Sequence, residues 1–196
     1  GALNTLQTDR VASVHRSGQH MLEVVNNILE ITRLDADPVE PALEPVELPM
    51  LVEQCLPAVR PLVEAKSLEL RVEIAPDLPP VLANGRRLCQ VMKLLVDNAI
   101  KYGPAGQTIN LSCRQKHGCL ELVVQDQGPG ISDADQQQIV EPYFRCAEHQ
   151  NRIHGSGIGL HAVSILSKAM GGQVSLESAP GHGSSFRILF PAQTKN

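Results

Sequence analysis

Asp126-Gln127-Gly128-Pro129-Gly130-Ile131 and, a little downstream, Gly155-Ser156-Gly157-Ile158-Gly159-Leu160 decide how this chain folds. An acidic residue beside closely spaced glycines, then a second glycine cluster opening a helix, is the pattern of a nucleotide pocket. Glycine itself is ordinary, at 15 of 196 residues, but nine of the fifteen fall between Gly128 and Gly183, so the clustering is informative. Upstream, Asp97-Asn98-Ala99-Ile100-Lys101-Tyr102 decides which kind of pocket it is.

Asp126 carries the first inference. Leu120, Leu122 and Val124 alternate inward along a strand and Asp126 continues their parity, so its carboxylate points inward at the strand's end. A buried carboxylate is costly unless it is hydrogen-bonded. An adenine amino group is a suitable donor, and Gly128 and Gly130 let backbone approach the ring. An ordinary Asx turn is the competing reading, and it would need no Gly-x-Gly after it. Gly155-x-Gly-x-Gly opening a helix offers free N–H groups and a positive helix end to phosphate. It lacks the lysine of a P-loop and does not follow a strand directly, as a dinucleotide fold requires.

The helix expected from about Gly85 to Lys101 buries Leu88, Val91 or Met92, Leu95, Ala99 and Tyr102. Leu94, Asn98 and Lys101 share a different stripe, where an amide and an ammonium suit a hydrated Mg²⁺ and its phosphates. Asp97 also has a plainer role, pairing with Lys101 at the i,i+4 spacing. The polar stretch from Ser132 to Ser156, with brief helical potential at Asp133 to Val140, reads as a lid. Its Arg145, Arg152, His149 and His154 are cations that can meet phosphates, or plain surface residues.

The remaining elements follow from period and punctuation. Val11, Val14, Gly18, Met21, Val25, Ile28 and Thr32 recur at alternating steps of three and four, a bundle-helix seam that needs a partner helix. The stretch 37–48, rich in Pro and Glu, reads as a linker after residues 1–36, and a globular unit spans 49–192. Pro49 to Lys66 is helical, with Pro57 and Pro61 predicting a kink or early turns. Strands are expected at Leu68 to Ile74, Ile109 to Arg114, Leu120 to Asp126, Gln173 to Ser178 and Ser185 to Phe190, with a short segment at Val81-Leu82. A last helix runs from Gly157 to Met170 and stops at Gly171-Gly172. The sum is an α/β (α+β) sandwich, a mixed sheet covered by helices on one face, preceded by a long amphipathic helix.

Composition narrows the function. With 42% hydrophobic residues but only five aromatics and no Trp, the core must be aliphatic. A net charge of −4 and no basic run leave no footprint for nucleic acid. Nothing approaches the ~18 apolar residues of a membrane span, so no direct membrane contact is expected. Five cysteines without a C-x-x-C pair point to a reduced, cytoplasmic setting. Cys55, Cys89 and Cys113 read as small buried hydrophobes, and Cys146 as an exposed bystander or a reactive thiol.

Taken in order, these motifs resemble the bacterial sensor histidine kinases, of the ATPase superfamily shared with gyrase, Hsp90 and MutL. Asp97 to Tyr102 looks like the N box and Asp126 to Ile131 the first glycine box. Glu141-Pro142-Tyr143-Phe144-Arg145 resembles the F box, Gly155 to Leu160 the second glycine box, and Gly181-His182-Gly183-Ser184-Ser185-Phe186 the terminal G-x-G-[ST]-x-F turn. The resemblance implies a Bergerat-type ATP-binding fold with ATP and Mg²⁺ as cofactors. Asn98 would ligate Mg²⁺, Lys101 contact phosphate, Tyr102 border the adenine, and Asp126 accept from the adenine amine. Gly128, Gly130 and Ile131 would shape that wall; Arg145, Gly155, Ser156, Gly157, Ile158, Gly159 and Leu160 would form the lid and phosphate side.

The helix ending Asn27-Ile28-Leu29-Glu30-Ile31-Thr32-Arg33-Leu34 is similar to the second helix of the dimerisation and phosphoacceptor hairpin. The resemblance therefore implies a homodimer through that hairpin and a response-regulator receiver domain as partner. Two departures matter. Neither His15 nor His20 carries an H-[ED]-x-x-[TN]-P box, so the sequence as it stands would bind ATP without phosphorylating itself on the usual histidine. Leu94 stands where kinases of the family commonly have Asn and gyrase-like ATPases a catalytic Glu. It speaks against a gyrase-type hydrolase and keeps a second reading open, a degenerate domain that senses nucleotide or binds a partner. Asn84, where an acidic residue is frequent, reads as a minor surface change.

Overall fold

The computed structural model describes residues 42–146 and 155–191, together with positions 4, 7, 10, 11, 14 and 18. The expected first helix therefore lies largely outside the described residues. Of its seam, Val11, Val14 and Gly18 are helical, and Val11 and Val14 stand 55% and 72% exposed.

The strands are β1 (Glu44–Val46), β2 (Glu69–Ile74), β3 (Val81–Ala83), β4 (Thr108–Lys116), β5 (Cys119–Gln125), β6 (Gln173–Ser178) and β7 (Ser184–Pro191). The helices are α1 (Leu48–Ala65), α2 (Gly85–Tyr102), α3 (Asp133–Gln136) and α4 (Gly159–Ala169). Five strands form one sheet in the order β2-β4-β5-β7-β6, with β2 parallel to β4 and every other pair antiparallel. The mixed sheet expected from the sequence is thus present.

Alternation sorts its two faces. Ile109, Leu111 and Cys113 of β4 and Phe186, Ile188 and Phe190 of β7 are buried toward α1, α2 and α4. The opposite face carries cross-strand ion pairs, Arg114 with Glu121 at 2.7 Å and Arg187 with Glu177. Polar side chains on that face keep it wettable, which an antiparallel sheet covered on one side requires. The core is aliphatic apart from Phe186 and Phe190.

Three expectations need correction. The presumed linker contributes β1, which pairs antiparallel with β3 and buries Val46, so the globular unit begins before residue 49. Pro57 and Pro61 do not produce early turns: both lie inside α1, which runs for 18 residues. Four apart, they share its exposed face, where the carbonyls they leave without an N–H donor, those of Glu53 and Pro57, are open to water. Cys55 and Cys89 are joined in a disulfide linking α1 to α2, with Cα atoms 6.0 Å apart, rather than acting as separate small hydrophobes, and this bond goes against the reduced setting expected from the cysteine spacing. Cys113 does fit the hydrophobe reading, since burial pushes its thiol up to about 12.

Candidate nucleotide site

Asn84 begins the site. Its Oδ1 caps α2 by accepting from the Arg87 N–H at 3.0 Å, a role an acidic residue there would fill as well, in keeping with a minor change. From that start α2 turns its apolar stripe, Leu88, Val91, Met92, Leu95, Val96, Ala99 and Ile100, into the core. The stripe rotated from it, Leu94, Asp97, Asn98, Lys101 and Tyr102, lines a cleft between α2, the end of β5 and the start of α4.

The far wall is Asp126, 6% exposed at the end of β5. Its Oδ1 accepts from the Gly128 N–H at 2.7 Å and the Ser184 N–H at 3.3 Å. The first of these is the Asx-type turn that competed with a ligand role, so the turn exists and uses one oxygen. Burial pushes the Asp126 carboxyl above its ordinary range, and the two backbone N–H groups only partly offset this. Such a group, set in the wall of a cleft, is suited to a hydrogen-bond donor on a ligand.

The terminal turn holds Asp126 in place, a role its motif alone does not reveal. Gly183 lies at φ +74°, and a Cβ there would overlap the Asp126 carbonyl. Gly130, also at φ +74°, meets the Ala179–Pro180 backbone in the same way. Glycine at 130 is therefore required by the β6–β7 turn as well as by any ligand. Ser178 stitches the three segments together: its Oγ accepts from the Ile131 N–H at 2.9 Å and donates to the Gly183 carbonyl at 2.7 Å.

On the opposite side α4 starts at Gly159 with no side-chain hydrogen bond at its cap, Ile158, which leaves its first-turn N–H groups for another acceptor. Leu94 packs where α2 and α4 converge, its Cδ2 3.9 Å from an ideal Cβ at Gly159. Tyr143 N–H donates to the Gly157 carbonyl at 3.1 Å, which joins the Glu141–Arg145 motif to the second glycine cluster.

The structure brings Asn98, Lys101, Tyr102, Asp126, Gly130, Ile131, Arg145, Gly155, Ser156, Gly157, Gly159 and Leu160 to this one cleft. Gly128 and Ile158 stand behind it: Gly128 packs on the Tyr102 carbonyl and Ile158 is buried. Lys101 also makes the plainer contact, an ion pair with Asp97 at 2.7 Å. Arg152, His149 and His154 lie outside the described residues. Pro129, Ile139, Phe144, Cys146 and Ser184 line the cleft as well, so Cys146 is half-buried in the cleft lining rather than an exposed bystander. Only the parity of β7 against β5 would have placed Ser184 opposite Asp126.

Among the described residues no cluster of three His, Cys, Asp or Glu could hold a metal, and no helix is long and apolar enough to cross a membrane. Asn98 alone fits a Mg²⁺ ion that takes most of its oxygens from phosphate and water.

Comparison with known proteins agrees with the motif order. Residues 83–194 match the histidine kinase-, DNA gyrase B- and HSP90-like ATPase family. Histidine protein kinase DivJ of Caulobacter vibrioides is 28% identical over 191 residues, covering 97% of this chain and 32% of that protein. The adaptive-response sensory kinase SasA of a Synechococcus species is 32% identical over 203 residues, covering 97% and 54%. The full-length ShkA crystal structure in complex with AMPPNP superposes with a TM-score of 0.78 at 31% identity, covering all of this chain and 41% of that one. The chain thus spans about a third to a half of these relatives. By the match over more than half its length, and by the ordered motifs that build the cleft, the chain belongs to the histidine kinase-, DNA gyrase B- and HSP90-like ATPase family.

Proposed function

We propose that this chain is the ATP-binding catalytic part of a two-component sensor histidine kinase, which transfers the γ-phosphoryl of ATP to a histidine on a dimerisation helix. The observation that carries this reading is the meeting, in one cleft, of a buried acceptor (Asp126), a polar helix stripe (Asn98, Lys101) and the open start of α4. Asp126 accepts from the adenine amine, with Tyr102, Gly130 and Ile131 around the ring and Gly128 behind. The phosphates run toward Lys101, Arg145, Gly155, Ser156, Gly157 and the first turn of α4 at Gly159 and Leu160, which Ile158 anchors to the core.

Asn98 would hold Mg²⁺, which would supply neutralisation of phosphate charge. Catalysis here is mostly positioning and electrostatics, since phosphoryl transfer asks little covalent chemistry of the protein. In the full protein two copies pair through the helical hairpin, the kinase works in the cytoplasm, and a response-regulator receiver domain takes the phosphoryl group. Residues 1–36 are read as the second hairpin helix, and the catalytic unit as beginning at β1.

Leu94 favours a second reading, a domain that binds nucleotide without transferring phosphate. It presents no polar atom to the cleft at the α2–α4 junction. Mixing the chain with a supplied phosphoacceptor helix and γ-labelled ATP separates the two. Acid-labile, base-stable label on the helix is expected. Tight ATP binding with no label, also in Leu94→Asn, refutes the kinase reading and leaves the sensor.

A further inference from the structure

We infer that Gln107 is a positioning residue that sets the adenine acceptor against α2, and so governs base discrimination in this site. The inference rests on the nucleotide reading given above. Gln107 is 3% exposed, although it sits in the short loop between α2 and β4. Its Nε2 donates to the Ala99 carbonyl at 3.0 Å, in the last turn of the helix that carries Asn98, Lys101 and Tyr102. Its Oε1 accepts from the Gln127 N–H at 2.7 Å, one residue beyond Asp126. One amide thus bonds both walls of the cleft.

Its own backbone is held as well. The Gln107 carbonyl accepts from the Glu69 N–H at 3.0 Å, and its N–H donates to the Pro104 carbonyl at 3.4 Å. Gly103 makes the room: an ideal Cβ there would overlap the Gln107 amide. The Ala99 carbonyl also receives the Gly103 N–H at 3.0 Å, so α2 is terminated without Gln107. The bond to Gln127 is therefore the one without a local substitute, and Gln127 N–H lies immediately before the Gly128 N–H that orients Asp126 Oδ1. Buried polar links of this kind fix relative position more than they add net stability.

Two variants remove the amide's contacts, the first by changing the side chain and the second by crowding it. Gln107→Met keeps the side chain's length and loses both bonds; Gly103→Ala, at a backbone φ of −75° that alanine tolerates, displaces the amide but also brings a Cβ to 2.8 Å from the Ala99 carbonyl at the end of α2. Affinities for the non-hydrolysable analogues of ATP and of ITP are measured by calorimetry in the 196-residue chain. Inosine replaces the exocyclic amine by an acceptor that opposes Asp126, so the unsubstituted protein is expected to prefer the adenine analogue by about thirtyfold or more.

Both variants are expected to narrow that preference about tenfold or more, while melting stays cooperative. Equal weakening of both nucleotides, with the preference intact in either folded variant, overturns the proposal and leaves Gln107 a structural residue. Absence of binding by the unsubstituted protein refutes the nucleotide reading itself, and this proposal with it.

Discussion

Asparagine at position 126 keeps the shape of the site and removes its charge. The amide oxygen can still accept from the Gly128 and Ser184 N–H groups, which lie 2.7 and 3.3 Å from the Asp126 carboxylate oxygen. The other oxygen becomes an NH₂, so a group suited to accept from adenine becomes a donor facing a donor. A hydrogen bond to an ionised acceptor contributes about 1.5–3 kcal/mol, and an unpaired donor adds its desolvation cost. Together these come to about 2–4 kcal/mol, or roughly 30- to 1,000-fold in Kd for an ATP analogue.

Stability moves the other way. Burial raises the Asp126 carboxyl, so the folded protein holds that proton to higher pH than the unfolded chain does. Between the two values the native state binds more protons, so this group's contribution is most favourable at acid pH and falls as pH rises through the folded value. Asp126→Asn lacks that slope, and the ligand-free variant is expected to melt at or above the parent at neutral pH. Calorimetry with a Mg²⁺-bound ATP analogue, beside melting across acid to neutral pH, reads both. Undiminished binding would refute the role of Asp126. Binding and stability lost together would make it a structural residue instead.

Gly183→Ala is expected to destabilise by about 2–4 kcal/mol, because left-handed backbone strain adds to overlap with the Asp126 carbonyl. A urea titration measures it, and a loss under 1 kcal/mol would show that the turn yields easily. Reducing the Cys55–Cys89 bond, which spans a sequence separation of 34, is expected to lower stability by about 2–4 kcal/mol. Denaturation with and without reductant tests this, with thiol titration of the oxidised, unfolded protein expected to find three thiols outside the disulfide.

Much of the cleft is written locally. Tight turns, helix caps and the parity of a strand depend on neighbours in sequence, so α2, β4 to β7 and the inward carboxylate of Asp126 were all legible. β1 was not, because a three-residue strand within a Pro- and Glu-rich run has no period of its own and exists only by pairing with β3. Pro57 and Pro61 gave no early turn for a related reason. A proline's cost in a helix depends on whether the carbonyl it orphans faces water, and packing decides which face that is.

The chemistry of the site divides in the same way. The sequence by itself determined the parts: a helix stripe with Asn98 and Lys101, an inward Asp126 and a glycine cluster ahead of α4. Each follows from local period and steric permission. Only the tertiary structure decided what holds them at working distance: Ser184 and Gly183 clasping Asp126 from the far end of the chain, Gln107 bridging the walls, and the disulfide between α1 and α2. Those are contacts between residues remote in sequence, and no local pattern records them, because they exist only once burial has brought the elements together.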